Sequence, residues 1–402
     1  MIKDRIANKD VHISAKEYVL MYFFICICGN PAFTASDVFG SYLYVLFLGV
    51  VYLSWYKNID TKHFYHACYK WGGVLSIVFL VQFFSLGMIS VLACLNHIVK
   101  FFIAILIASI FQEKLPVVYL KVISFIALVS FFFYAFNLIG IQFPALIKTH
   151  STIDSLIVFS QPNSRFFAEE FDRNTGFFWE PGAFAGYLLF ALLLWINDLK
   201  LLWTKYRKHF IIITIALITT QSTTGILGYG ILILFYLLQT VKNKFALSIV
   251  LGILAVFFLI IYSHVDFLGG KINKELEQTA ELSAEDAAHS RTGSIIFDLQ
   301  YIKAKPLFGN GFDATTRYRF HLDYFDYEDL VGFGNGFSGY LATMGFVFFM
   351  FFFYKIYKNP YLQRKIPLII MVVLLLQGEQ FLNFPAFMML PFAHFIKVHT
   401  PC

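Results

Sequence analysis

Long apolar runs separated by short polar connections repeat along most of the chain. A helix rises 1.5 Å per residue, so roughly 20 apolar residues cross the hydrocarbon core of a bilayer. The pattern therefore predicts a polytopic bundle of about twelve transmembrane helices. The predicted spans lie near residues 17 to 35, 39 to 56, 71 to 89, 92 to 111, 117 to 139, 181 to 197, 210 to 221, 225 to 240, 245 to 263, 336 to 354, 366 to 378 and 383 to 396.

The stretch from 210 to 240 is too long for one crossing, because as a single helix it would measure about 46 Å. Basic residues flank it on both sides, which requires an even number of crossings. We therefore predict a tight hairpin that turns at residues 221 to 225. The closing apolar region is interpreted in the same way. The polar residues at its turn are Gln377, Glu379, Gln380 and Asn383.

Composition supports a membrane protein. The chain has 58% hydrophobic residues, 14% charged residues and a mean hydropathy of +0.68, whereas soluble domains carry about 25% charged residues. Because the apolar runs have the length of helices, the predicted fold class is all-α. No linker or shift in composition divides the chain, so we expect one integral membrane domain over residues 1–402.

Lysine and arginine set the expected orientation. Basic residues occupy alternate short connections, which face the cytoplasm by the positive-inside rule, and both termini are expected on that side. Two long polar stretches, residues 140–180 and 264–335, then become loops on the outer face. They hold 17 of the 25 acidic residues, and long loops carry charge freely. The second is expected to open with a polar surface helix at residues 271 to 290.

Several classes of site are excluded by the sequence. Neither long loop contains cysteine, which rules out a disulfide framework or a cysteine-ligated zinc site there. The sequence has no Walker loop, no metal-spaced His, Cys or Asp cluster and no Gly-x-Ser-x-Gly elbow. We therefore expect no cofactor and no bound metal. Topology explains the formal charge of +6, so we expect no nucleic-acid partner. The polar N-terminal stretch also indicates that no signal segment is cleaved.

The arginines are unevenly distributed. Five of the eight arginines, but only five of the 23 lysines, lie in the two long polar stretches. A guanidinium group binds phosphate or carboxylate through two parallel hydrogen bonds, whereas a lysine ammonium is a point charge. The distribution predicts that the two outer loops hold an anion.

The first loop ends in a candidate site. Arg173 precedes Glu180 by seven residues, and Pro181 follows directly before a span. Proline is favourable in the first turn of a helix, so Glu180 is predicted at a helix N-terminus, at the membrane surface. The alternative is that Glu180 is only a helix-start acid and that Trp179 is an interfacial anchor. The opposite charge on Arg173 favours a functional site, with Trp179 as a candidate substrate contact.

The second loop holds further candidates. Arg291 is predicted to begin a short amphipathic helix, where a cation opposes the helix dipole and so suggests another purpose. Arg317, Arg319 and His321 follow among tyrosines that suit sugar stacking and hydroxyl contacts. The alternative for Arg317 and Arg319 is a solvated network of ion pairs. Its acidic partners would be Asp323, Asp326, Glu328 and Asp329.

Three more polar residues are candidates for substrate binding. Asn310 and Asn335 lie in two Gly-Asn-Gly-Phe segments, which either bring the backbone close to a ligand or serve as flexible turns. Lys100 lies inside an apolar run, where an ionisable group is a functional hypothesis by default. The alternative for Lys100 is that its side chain reaches the outer interface.

Taken in order, these elements resemble the O-antigen polymerase and ligase superfamily, bacterial enzymes that join lipid-linked glycans on the periplasmic face of the inner membrane. The resemblance covers roughly residues 170 to 350 in its motifs. The matching elements are the segment from Arg173 to Gly182, the hairpin at 222 to 225, Arg291 with the later segment Pro306 to Gly311, and Gly334 to Gly336 before a span that contains Gly345.

The resemblance implies a GT-C-like, metal-independent glycosyltransferase that acts on undecaprenyl-pyrophosphate-linked glycans as donor and acceptor. Arg173 and Arg291 would stabilise the pyrophosphate, and Glu180, or secondarily His321, would be the general base. A chain-length regulator and a flippase are candidate partners, and the product would be O-antigen, capsule or exopolysaccharide. Ligases of this type are expected to have His-Asn where this chain has Gly334-Asn335, which favours a polymerase. The alternatives are an O-antigen ligase and a lipid-glycan transporter.

Overall fold

A computed structural model describes residues 12–34, 37–141, 143–144, 146–148, 153–162, 173–240, 245, 252, 291–320, 335–362 and 364–395. Its longer helices are α1 (Ala15–Gly29), α2 (Asp37–Trp55), α3 (Thr61–Leu86), α4 (Val91–Phe111), α5 (Leu115–Leu138), α6 (Pro181–Leu194), α7 (Leu199–Lys205), α8 (Arg207–Thr219), α9 (Thr223–Thr240), α10 (Arg291–Ala304), α11 (Gly336–Tyr357) and α12 (Lys365–Gly378). Short helical turns cover Pro31–Thr34, Tyr56–Asn58, Gln112–Lys114, Ala314–Arg317, Phe381–Asn383, Pro385–Met388 and Leu390–Phe395. The span predicted near 245 to 263 and the surface helix predicted at 271 to 290 lie outside the described residues.

Three helical segments of the described chain are long and apolar enough to cross a membrane: α3, the run from Val91 to Leu138, and α11. The pair α6 and α7, bent by 100°, would make a fourth. Other helices are shorter, because turns interrupt the apolar runs; α12, for example, has 14 residues. The apolar helices fit an all-α, multi-pass membrane protein, and the count of twelve spans stays a prediction.

The hairpin predicted within residues 210 to 240 is confirmed. Helix α8 ends at Thr219 and α9 begins at Thr223, with Gln221 between them at a φ of 48°. Glycines then let α9 pack closely on α6: a Cβ on Gly225 would lie 2.8 Å from the Ala185 Cβ. Small residues of this kind allow helices to approach each other inside a membrane.

The first long polar stretch contains a small antiparallel sheet of β1 (Ile147–Lys148), β2 (Ile153–Ser155) and β3 (Ser160–Pro162). The Ser155 hydroxyl donates to Asn30 Oδ1 at 3.3 Å, which ties the sheet to the end of α1. Backbone Ser160 N–H donates to the Gly176 carbonyl at 2.8 Å. The sheet thereby holds the segment that leads into α6.

Helix α11 is broken at Gly345, where φ is 74° and ψ is 170°. Four backbone hydrogen bonds of 2.8 to 3.1 Å join residues 306–311 to residues 342–347 across this break. They satisfy amide and carbonyl groups that the break removes from the helical ladder. The second polar stretch is therefore inserted into α11 rather than lying over it.

Candidate functional site

Glu180 lies at the N-cap position of α6, and Pro181 is the first helical residue, as predicted from the sequence. The Glu180 side chain makes no capping hydrogen bond. Its Oε1 atom lies 2.7 Å from the point where a Cβ on Gly182 would be, and Glu379 Oε1 lies 3.3 Å from the same point. Two carboxylates far apart in sequence therefore meet at the first turn of α6.

A narrow cleft adjoins this pair, between α6, α9 and α12. The gap between its lining residues measures about 210 Å³, including space that is open to the surface, and it has no room for a water molecule in this conformation. Glycine provides the space, since four of its lining residues have no side chain. The lining residues are Gly182, Gly186, Leu189, Thr224, Gly225, Leu375, Gly378, Glu379 and Phe381.

Three helix N-termini meet around Glu379. Helix α6 begins at Pro181, and α9 begins at Thr223, next to Thr224 in the cleft lining. A Cβ on Gly336, the first residue of α11, would lie 2.1 Å from the Glu379 carbonyl oxygen. Helix N-termini carry partial positive charge and exposed amide donors, so this convergence favours negatively charged groups.

Arg173 is docked at the end of α8, beside the turn that leads into α9. Its Nε atom donates to the Thr220 carbonyl at 3.2 Å and its Nη2 atom donates to the Gln221 carbonyl at 3.4 Å. The adjacent Asn174 N–H donates to the Thr219 carbonyl at 3.0 Å. A cation at a helix C-terminus is stabilised by the helix dipole. Arg173 thus fixes the loop end that carries Glu180 to the hairpin that lines the cleft.

Trp179 packs inside the bundle. Its ring stacks on Phe384 at a centroid distance of 4.7 Å with an interplanar angle of 26°. It also meets Tyr187 of α6 edge to face, at 6.4 Å. The half-buried indole therefore connects the start of α6 to the turn that follows α12.

Arg317 is buried, with 4% of its surface exposed, and it pairs with the fully buried Asp298 of α10. Its Nε atom donates to the Thr343 hydroxyl at 3.0 Å, and its guanidinium lies 4.9 Å from the ring centroids of both Tyr301 and Tyr318. Burial raises the pKa of Asp298, while the charge on Arg317 opposes that rise. The acids that the sequence offered as alternative partners, residues 323 to 329, lie outside the described residues.

Asp298 extends this ion pair to the start of α11. The Ser338 hydroxyl donates to Asp298 Oδ2 at 2.6 Å. Asn335, at the N-cap of α11, accepts hydrogen bonds from the amides of Phe337 and Ser338 at 3.1 and 3.0 Å. Asn335 is therefore a helix cap, and the Arg317–Asp298 pair holds the helix that it caps.

Asn310 fastens the second polar stretch to α11. Its side-chain amide donates to the carbonyls of Tyr301 and Ala342 at 3.0 and 2.9 Å. The flanking Gly309 has a φ of 77°, and a Cβ there would lie 2.3 Å from the Thr343 carbonyl oxygen. The first Gly-Asn-Gly turn thus does bring the backbone into close approach, but with α11.

The remaining candidates lie apart from the cleft or beyond the described side chains. Arg319 is half-buried, with its guanidinium 4.7 Å from the Phe320 ring centroid. Lys100 is also half-buried, 5.0 Å from the Tyr44 ring centroid. Arg291 begins α10, as predicted, but its side chain is not described, and His321 lies outside the described residues. Within the described part of the chain, no group of three His, Cys, Asp or Glu side chains is close enough to hold a metal ion.

The sequence pattern does not single out three structurally important residues: Glu379, Asp298 and Gln82. The sequence pattern places Glu379 in a turn, although an ionisable residue between apolar runs is also a signal of function. Gln82 is a lone amide in α3 whose Nε2 atom donates to the Phe308 carbonyl at 2.6 Å and the Thr343 carbonyl at 2.8 Å. The position of Gln82 inside an apolar span is the feature of the sequence that indicates a structural role.

Residues 209–353 match the family described as O-antigen ligase. This match supports the O-antigen ligase and polymerase superfamily. The matched segment contains the α8–α9 hairpin, α10, the Asn310 turn and α11 up to its last turn, but it excludes Arg173, Glu180 and Glu379. No curated protein and no solved structure matches the chain. The family supports a role in O-antigen or glycan processing in a membrane.

Proposed function

We propose that this protein is a glycosyltransferase that polymerises undecaprenyl-pyrophosphate-linked repeat units on the periplasmic face of the bacterial inner membrane. The observation that carries the proposal is the family match over residues 209–353, which include the hairpin onto which Arg173 is docked. The carboxylates of Glu180 and Glu379 lie next to that hairpin, in reach of a cleft between helices. Donor and acceptor are lipid-linked glycans.

In the proposed reaction the acceptor hydroxyl oxygen attacks the anomeric carbon of the donor sugar. The bond from that carbon to the pyrophosphate oxygen breaks, and lipid pyrophosphate leaves with the electron pair. The hydroxyl proton passes to Glu180, with His321 as the second candidate base, since a base must be within hydrogen-bond reach of the acceptor. Fixed cations at Arg173 and Arg291 lower the barrier by meeting the charge that develops on the leaving group.

We include Glu379 as a second carboxylate of the proposed site because of its position. Its carboxylate shares the first turn of α6 with Glu180, so an acceptor hydroxyl bound to one carboxylate lies near the other. The cleft must widen to admit a sugar, because it has no room for a water molecule in this conformation. Asn310, Asn335 and Arg317 support the same site indirectly, through the fixed position of α11.

The experiment is a polymerisation assay with purified protein and lipid-linked repeat units. Arg173→Ala, Arg291→Ala and Glu180→Gln are each expected to lose on the order of 10² or more in rate. Arg207→Ala is the matched control, since Arg207 lies over the Trp203 ring at 4.8 Å, away from the cleft. Chain lengths like those of the wild type from all three site variants would overturn the assignment.

A ligase is the second candidate, because the matched family is described as O-antigen ligase and the match fits a polymerase and a ligase equally. Against it, Gly334 stands where ligases of this type are expected to have histidine. The product decides between them. A ladder that remains linked to undecaprenyl pyrophosphate supports the polymerase, whereas one transfer step to a lipid A core or a protein supports the ligase.

A further inference from the structure

The turn between β2 and β3 has two apolar residues at its tip. The Leu156 N–H donates to the Phe159 carbonyl at 2.8 Å, so Ile157 and Val158 form a two-residue hairpin loop. Ile157 has a φ of 70°, and the two residues have 37% and 39% of their surface exposed. Loops of this kind favour asparagine, aspartate or glycine, and a β-branched residue at positive φ is strained. Isoleucine thus occupies a position where a polar residue or glycine would fold more easily.

Contacts with the end of α1 hold this strained turn in place. Asn30, which is fully buried at the C-cap of α1, donates from its side-chain amide to the Ile157 carbonyl. The Ser155 hydroxyl oxygen accepts from the Ile157 N–H at 3.1 Å, and the hydroxyl donates to Asn30 Oδ1 at 3.3 Å. A strained conformation persists only where its surroundings fix it, and such positions are often functional. These contacts therefore keep an apolar tip exposed.

The turn lies beside a membrane-spanning segment and not above its end. Phe159, which follows the two loop residues, stacks on Phe133 of α5 with ring centroids 5.2 Å apart and 14° between the ring planes. Phe133 lies five residues before the end of α5 at Leu138, which is about 7 Å along the helix axis. Helix α5 belongs to the apolar run that is long enough to cross a membrane. The turn is therefore level with the last turns of α5.

The exposed face of α5 adjoins this turn. Four apolar side chains in α5 or directly after it are at least half exposed at helical spacing, and they form a stripe on the outside of the bundle: Phe125, Leu128, Phe132 and Ile139. Phe132 contacts Phe133, on which Phe159 stacks, with ring centroids 5.4 Å apart. Leu146 is also exposed, and its N–H donates to the Ser155 carbonyl at 3.2 Å, at the end of the sheet that carries the turn. The apolar surface of the turn thus lies next to a stripe that faces lipid when α5 spans a membrane.

We propose that the turn between β2 and β3 inserts into the outer leaflet of the bilayer, with Ile157 and Val158 in contact with its hydrocarbon. The distribution of basic residues places this end of α5 on the outer side of the membrane. Transfer of two apolar side chains from water into lipid is favourable and offsets the strain at Ile157. Lipid already surrounds a span at this depth, whereas a protein partner would have to displace it. The turn is separate from the cleft between α6, α9 and α12, so this inference does not depend on the proposed function.

The test places the photoreactive residue p-benzoyl-phenylalanine at Val158 of the full-length protein in cell membranes. After irradiation, mass spectrometry of the purified protein distinguishes a phospholipid adduct from a cross-link to another protein chain. The adduct yield at Val158 is expected to be within about threefold of the yield at Phe132, in the lipid-facing stripe. The control position is Lys303, which is exposed in α10, and its yield is expected to be roughly tenfold lower.

A lipid yield at Val158 as low as that at Lys303 would overturn the proposal. A cross-link from Val158 to a second copy of this chain or to another protein, in place of the lipid adduct, would overturn it as well.

A second variant separates the loss of lipid contact from a loss of fold. I157N/V158N removes both apolar side chains but keeps the turn, because asparagine adopts positive φ more easily than isoleucine. Its melting temperature in detergent is expected to equal or exceed that of the wild type, since the strain at Ile157 is relieved. With the photoreactive residue at Leu146, the phospholipid adduct is expected to fall about threefold or more in this variant. An unchanged adduct yield at Leu146 would show that the two residues do not hold the sheet in the leaflet, and it would overturn their insertion.

Discussion

The charged residues of the two long polar stretches lie in different surroundings. The first attaches Arg173 to the carbonyls at the end of α8 and places Glu180 beside the cleft, at an N-cap position where its side chain makes no capping hydrogen bond. The second buries Arg317 against Asp298 and inserts its turn into a broken helix. Similar residue types thus form a polar site beside the cleft in the first stretch and a buried ion pair next to α11 in the second. Arginine in a polar stretch is not by itself evidence of a ligand contact.

The largest expected effect is on stability, at the buried Arg317–Asp298 pair. Arg317→Ala leaves Asp298 as a buried charge without its partner, and such a loss costs about 3–5 kcal/mol of stability. Arg319→Ala, two residues away and half-buried, is expected to change stability by about 0.5 kcal/mol or less. Thermal unfolding in detergent measures both. Equal melting temperatures for the two variants would show that the buried Arg317–Asp298 pair does not stabilise the packing of α11.

The next effect belongs to the cleft and concerns rate, not stability. Glu379→Gln keeps the size of the side chain but removes its charge, and we expect the glycan transfer rate to fall on the order of tenfold to a hundredfold. The melting temperature should stay near that of the wild type. Glu113→Gln, an exposed carboxylate outside the cleft, is the control and should retain full rate. A full rate for Glu379→Gln would leave Glu180 as the sole carboxylate of the proposal.

The break in α11 gives a smaller effect, on stability. Gly345→Ala places a Cβ 2.4 Å from the Leu307 carbonyl oxygen at a φ of 74°, so strain of about 1–3 kcal/mol is expected. Gly49→Ala is the control, since nothing lies within 4 Å of a Cβ there, and it should be neutral or slightly stabilising. Unfolding midpoints compare the two. Equal midpoints would mean that residues 306–311 move away from the added Cβ with no loss in the free energy of unfolding.

The same contrast explains how much the sequence could predict. Local rules placed Glu180 before Pro181, the hairpin turn near Gln221 and the start of α10 at Arg291, because each depends on neighbours within a few residues. The composition likewise predicted apolar helices. These features need no knowledge of which helices pack together.

Long-range contacts were beyond those rules. Glu379 meets Glu180 only because α6 and α12 pack at glycines, and Gln82 reaches the Asn310 turn only because α3 lies beside α11. Gly345 breaks α11 although an isolated glycine in a helical pattern usually costs little. In each case the partner is more than 30 residues away, so no local pattern identifies it.

The smallest predicted effect tests whether Asn335 caps a helix or binds substrate. Its Oδ1 atom accepts from the amides of Phe337 and Ser338, so Asn335→Ala should cost about 1 kcal/mol of stability. Asn335→Ser keeps a cap, because a serine hydroxyl oxygen accepts from the amides at a helix N-terminus, and it adds no charge beside the buried Asp298, with which Asn335 shares the Ser338 hydroxyl. If Asn335 acts only as a cap, the serine variant recovers both the melting temperature and the transfer rate. Recovery of the melting temperature without the rate would instead make the amide nitrogen of Asn335 a substrate contact, and the second polar stretch would then resemble the first.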